Sequence, residues 1–93
     1  MIVGKKKFVG EVNKVNPYAI VRDMLGKEKE EISMPTPRGA FAIREWDGVT
    51  VVRRIEWDFE KGKFVMTDEV TVDEEKYPEL VKKLKEAKLK EAV

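Results

Sequence analysis

Residues 41–72 read FAIREWDGVTVVRRIEWDFEKGKFVMTDEVTV, and the way this stretch pairs with itself decides the fold. Val51, Arg53, Ile55, Trp57 and Phe59 alternate with Arg54, Glu56, Asp58 and Glu60. A period of two, with one phase richer in apolar residues, marks a half-buried strand. Phe64, Met66, Val70 and Val72 continue the pattern beyond Glu60-Lys61-Gly62-Lys63. That tetrapeptide reads as a tight turn with Gly62 where positive φ is needed, so 51–72 is expected to be one long hairpin.

Upstream, Phe41 to Trp46 runs into Asp47-Gly48 and then Val49. Two loops compete here. A two-residue loop, Asp47-Gly48, sets Ile43 opposite Val52 and leaves Phe41 facing Arg54, away from Val51, Ile55 and Trp57. A three-residue loop of Trp46, Asp47 and Gly48 sets Ile43 against Val51 and brings Phe41 to the side of Ile55. A one-residue slip moves every side chain to the other face, and the three-residue loop keeps the apolar residues together. It is the expected register, with Gly48 left-handed in a bulge and Trp46 at a loop tip.

Further out, residues 16–26 admit two readings that lead to different folds. As a helix, Asn16 is the N-cap, Pro17 the first residue and Gly26 the stop, with Ile20, Val21, Met24 and Leu25 on one face. As a strand, Tyr18 to Met24 follows a turn at Asn16-Pro17. The echo between Tyr18–Gly26 and Phe41–Gly48 favours the strand. Phe8 to Val15 reads as a strand bending at Gly10, and Ile32 to Met34 as a short strand stopped by Pro35-Thr36-Pro37. The C-terminus predicts a helix over 78–91: Pro78 suits a first turn, and Leu80, Val81, Leu84 and Ala87 form one stripe. Glu79 with Lys83 and Glu86 with Lys90 add i,i+4 pairs. The stripe is narrow, so the helix needs a sheet beneath it.

Ninety-three residues of 42% hydrophobic content suffice for one core and not for two. The expectation is a single domain, 1–93, β-rich over 2–72 and helical over 78–91. Charged residues make up 40% of the chain, well above the usual share of about 25%. Gln is absent, Asn occurs only at 13 and 16, and Lys and Glu dominate, a profile expected of a heat-adapted, archaeal-like protein. Cys and His are absent as well. Thiolate nucleophiles, disulfides, the usual zinc sites and the commonest general base are thereby excluded. Met1 to Lys7 places its apolar residues before its basic ones, the reverse of a secretory signal, and no apolar run approaches the length of a membrane span. A soluble cytoplasmic protein with no membrane partner is expected.

Net charge is +1 but unevenly spread. Residues 1–27 carry six Lys/Arg against two acids, and 56–79 carry three against nine. All five arginines lie between 22 and 54. There they interleave with aromatics: Arg38, Phe41, Arg44, Trp46, Arg53, Arg54, Trp57. Aromatic faces beside guanidinium groups suit single-stranded nucleic acid, because every base has a π-face and every nucleotide a phosphate. Arg38, Arg44, Trp46, Arg53 and Arg54 are therefore the candidate contacts to single-stranded nucleic acid or RNA. The plainer reading makes Phe41 and Trp57 core and lets Arg53 pack its stem at the core edge. Lys5-Lys6-Lys7 reads as a charged strand edge rather than a phosphate-binding arm. Pro35-Thr36-Pro37-Arg38 reads as a stiff loop between strands rather than a polyproline-type ligand. Glu56, Asp58 and Glu60 form a ladder that could hold a divalent cation, yet alternating polar residues are what an exposed strand face requires. Ser33 has no His partner, so serine hydrolysis finds no support. No catalytic residue, metal or cofactor is expected.

Val72-Asp-Glu-Glu-Lys-Tyr-Pro-Glu-Leu-Val-Lys-Lys-Leu84, following the hairpin, looks like the end of the small SH3-barrel chromatin proteins of thermoacidophilic archaea. Those proteins also close a barrel with a Pro-started, Lys-rich helix. Val9-Gly-Glu-Val12 looks generically like the opening of an OB or SH3-like barrel. The resemblance covers about a third of the chain, and the near-neutral charge departs from the chromatin proteins. The expected fold is α+β, mainly antiparallel β: five to six strands, curled or small barrel-like, with a C-terminal α-helix. The runner-up is an open sheet with helices at 17–25 and 78–91 on one face. The expected function is a non-catalytic binding module. Its ligand is nucleic acid held by the Arg/Trp surface or, alternatively, a protein partner or second copy met through an acidic face or a strand edge.

Overall fold

Alternation and turn chemistry carry the chain into eight elements, seen in a computed structural model that describes residues 5–12 and 14–92. They are β1 (Lys5–Glu11), α1 (Pro17–Leu25), β2 (Glu30–Thr36), β3 (Gly39–Trp46), β4 (Val49–Asp58), β5 (Lys63–Asp73), α2 (Pro78–Glu86) and β6 (Lys90–Ala92). Residues 2–4 of the expected β-rich segment lie outside the described residues. The six antiparallel strands form one sheet in the order β2-β3-β4-β5-β1-β6. The mainly antiparallel α+β class holds. The sheet is not closed into a barrel, however, and both helices lie on one of its faces, called here the helix side.

Two expectations are corrected, and both corrections have a physical cause. The β3–β4 turn is the two-residue Asp47-Gly48 loop, with Trp46 opposite Val49, Ile43 opposite Val52 and Phe41 opposite Arg54. Gly48 takes the left-handed backbone such a turn needs (φ 91°). Trp46 is consequently no loop tip. It is 7% exposed on the helix side, its indole N–H donating to the Gly26 carbonyl at 2.8 Å. The three-residue register assumed that one face must hold all the large apolar residues. This sheet instead divides them between its faces.

Residues 17–25 are a helix, not a strand. Asn16 has extended backbone and its Oδ1 accepts from Ala19 N–H at 3.2 Å, while Pro17 occupies the first turn. Gly26 (φ 79°) ends the helix, its N–H donating to Arg22 O. Complete caps at both ends outweigh the compositional echo that favoured a strand. Smaller corrections follow. β2 runs through Pro35 to Thr36, which an edge strand tolerates. β1 is not an edge: it lies between β5 and β6, with Lys6 paired to Glu91 and Lys7 to Glu69. α2 stops at Glu86, Lys88 turns the chain with φ 62°, and β6 pairs with β1.

The core is the helix side. Phe8, Trp46, Val49, Val51, Val70 and Val72 rise from the sheet to meet Val21 of α1 and Leu80, Val81 and Leu84 of α2, all buried. In the middle of this layer the sheet presents a charge pair. Asp68, fully buried, accepts from Arg53 Nε at 2.7 Å and Arg53 Nη2 at 2.9 Å, and from Tyr18 N–H at 3.2 Å. Arg53 Nη2 also donates to Asn16 Oδ1 at 3.0 Å. Asp68 therefore binds the first turn of α1, where the helix dipole favours a negative charge. Every strong demand of the carboxylate is met, which is what makes its burial tolerable. Asp68→Ala leaves a guanidinium and a helix N–H without their acceptor, and is expected to cost about 3–5 kcal/mol in chemical denaturation. The Arg53→Met, Asp68→Leu double variant is expected to lose much less.

Candidate interaction surfaces

Tyr18 gathers three of the five predicted contact residues. The Arg44 guanidinium lies 4.3 Å from its ring centroid and that of Arg53 5.5 Å, with the Trp46 ring at 5.9 Å. Arg44 Nε donates to Glu31 at 2.9 Å and approaches Glu28 at 4.0 Å. The Tyr18 hydroxyl donates to Glu28 at 2.9 Å and accepts from Arg22 at 3.3 Å. Arg53 thus spends its polar groups on Asp68 and the Asn16 cap, Trp46 on the Gly26 carbonyl, and Arg44 its Nε on Glu31, leaving Arg44 Nη1 buried without a partner among the described residues. All three side chains lie on the helix side, Trp46 buried and the two arginines partly buried.

Arg38 and Arg54 stand elsewhere. Arg54 lies on the helix-free side of β4, between Phe41 and Thr67. Arg38, in the β2–β3 turn, rests 5.3 Å over the Phe59 ring. Both line a groove of about 470 Å³ with Glu56, Asp58 and Glu60, so the groove holds three acids against two arginines. Neither arginine forms an ion pair among the described residues. The five predicted residues therefore divide three and two between the faces of the sheet.

Exposed apolar side chains mark two surfaces that sequence reasoning missed. The first is the far end of the β4–β5 hairpin. A nine-residue helix is about 14 Å long, while the ten residues of β4 span about 33 Å, so neither helix can cover the whole hairpin. Trp57 and Phe64, opposite each other on the helix side, project past that cover with 37% and 59% exposure. Their rings meet edge to face at 5.1 Å. Phe59, in the turn, is 73% exposed. Charges around this end nearly balance, with Arg38, Arg54, Lys61 and Lys63 set against Glu56, Asp58 and Glu60. Asp58 caps the turn by accepting from Glu60 and Lys61 N–H.

The second is the helix-free side near β2. Ile32, Ile43 and Val52 form one cross-strand row and Met34 and Phe41 the next. Ile32 and Met34 are 53% and 51% exposed. The acidic stretch 56–79 is dispersed over the fold: Asp68 is buried under α1, Asp58 ends β4 and Glu69 pairs with Lys7. Among the described residues, no three acidic side chains are placed to share a metal ion, and no helix is long and apolar enough to cross a membrane. The chain matches no known protein-family model, and no curated protein or solved structure is significantly similar to it.

A hydrogen bond from its own backbone N–H holds the Glu28 carboxyl below the usual carboxylate range, helped by the Tyr18 hydroxyl and the charges of Arg22 and Arg44 against partial burial. A depressed folded-state pKa stabilises the fold above the unfolded value of about 4.3, and that contribution disappears as pH falls through the lower folded value. Glu28→Gln is accordingly expected to flatten the acid limb of the stability curve below about pH 5, as read by urea denaturation at a series of pH values.

Proposed function

We propose that this chain is a non-catalytic, intracellular protein-interaction module that meets its partner through the far end of the β4–β5 hairpin. The observation that carries this reading is the exposure of Trp57, Phe59 and Phe64 together, beyond the helix layer and outside the core. Large aromatics and arginine are the side chains that anchor protein interfaces, and here Arg38 lies against Phe59. The nearly balanced charges fit a protein partner better than a polyanion, which rewards an excess of cations. A chain without cysteine also suits a reducing compartment.

Nucleic acid is the second reading, favoured by Arg38 and Arg54 lining one groove with Phe59. One pair of measurements separates the two. Immobilised wild-type protein is expected to retain a cellular partner that Phe59→Ala and Phe64→Ala lose by tenfold or more in affinity, about 1.4 kcal/mol. Single-stranded and duplex oligonucleotides, titrated at about 50 and 200 mM salt while the fluorescence of Trp46 and Trp57 is followed, are expected to leave the emission unchanged. Salt-sensitive quenching that disappears in Arg38→Ala and Arg54→Ala would establish the nucleic-acid reading instead.

A further inference from the structure

β2 stands at one edge of the sheet. Among the described residues it pairs with β3 alone, and its residues from Glu30 to Pro35 are all exposed. Ile32 and Met34 each have an apolar neighbour on one side, Ile43 and Phe41, and none on the other. An edge strand with these properties is a template for further pairing unless something blunts it.

Two-fold symmetry fixes what the pairing would look like. In an antiparallel pair centred on Ser33, Ile32 of each copy faces Met34 of the other, on the helix-free side. Glu31 then faces Pro35, and Glu30 faces Thr36. No acid meets an acid. Registers centred on Glu31 or nearer the N-terminus bring the acids of the two copies together, a like-charge arrangement that opposes pairing, and the register centred on Ile32 sets Met34 against Glu30. Charge supports the same register at its ends. The start of β2 is acidic, while residues 32–44 contain no acid and include Arg38, which makes no ion pair among the described residues. Antiparallel pairing sets the acidic start of one strand beside Arg38 of the other.

We propose that the chain forms a reversible two-fold dimer by antiparallel pairing of β2 with β2 of a second copy, centred on Ser33. The pairing joins two six-stranded sheets into one of twelve, and the Ile32 and Met34 rows of both copies become one continuous apolar strip. Such an isologous contact closes on itself and leaves no second edge of the same kind exposed. Pro35 has no N–H to donate, which keeps the ladder short and the association reversible. The Ile32–Met34 strip lies apart from Trp57, Phe59 and Phe64, and Arg38 is the one residue used in both assignments, so either can fail without the other.

The cysteine-free chain makes a direct test simple. Opposed residues of an antiparallel pair have Cα atoms about 4.5–5.5 Å apart, within the range a disulfide spans. Ser33→Cys is expected to oxidise to a covalent dimer at micromolar protein at least about tenfold faster than Lys82→Cys, placed on the exposed side of α2. Adding Met34→Lys to Ser33→Cys is expected to abolish that advantage, and Phe59→Ala to leave it intact. Sedimentation equilibrium of the unmodified protein is expected to show a monomer–dimer exchange that Met34→Lys shifts to monomer. Far-UV circular dichroism monitors folding of each variant. Equal crosslinking at 33 and 82, a wild-type protein that stays monomeric at all concentrations, or a dimer indifferent to Met34→Lys would overturn the proposal.

Discussion

The two-residue turn at Asp47-Gly48 is the constraint on which the other features depend. Because side chains alternate along a strand, this turn determines which face every residue of β3 takes relative to β4. It sends Trp46 and Arg44 to the helix side and Phe41 and Ile43 to the other. From that sorting follow the buried indole that fastens the chain at Gly26, the arginine laid over Tyr18, and the apolar rows left uncovered beside β2. The start of α2 braces the turn: the Tyr77 hydroxyl donates to the Asp47 carbonyl and Lys76 pairs with the Asp47 carboxylate. One extra residue in the loop would reverse all of these placements.

The charge pair beneath α1 explains why a short helix stays where it is. Nine residues are too few for a helix to be stable by itself in water. α1 is held by Val21 in the core and by Asp68, which accepts from its first turn while also holding Arg53. Arg53 in turn reaches the Asn16 cap. The arginine-rich stretch that looks like a ligand surface in the sequence thus has half its charge committed to the joint between sheet and helix. What is left for a partner is the part of the sheet that the helices cannot reach.

Much of this was legible in the chain itself. The β4–β5 hairpin, the stripe of α2 and the α+β class follow from period and turn residues, because local alternation is enforced by a nearby buried face. Two features were not legible. The helix at 17–25 carried a complete set of cap signals at Asn16, Pro17 and Gly26, but the echo of Tyr18–Gly26 in Phe41–Gly48 pointed to a strand, and the contact to Asp68, fifty residues away from Tyr18, is one no local pattern shows. The β3–β4 register was misjudged because apolar residues were assumed to share a single face. The Asp47-Gly48 pairing divides them between two faces, and the short helices leave the far end of the helix side uncovered as well.

The placement of Trp46 tests this account most directly. In Trp57→Phe the only indole is Trp46, and the two-residue register predicts blue-shifted emission that iodide barely quenches, as suits a residue 7% exposed. Emission at the wavelength of a free indole, quenched as readily as tryptophan in water, would return Trp46 to a loop tip and contradict the register, the sorting of β3 and the surfaces that follow from it.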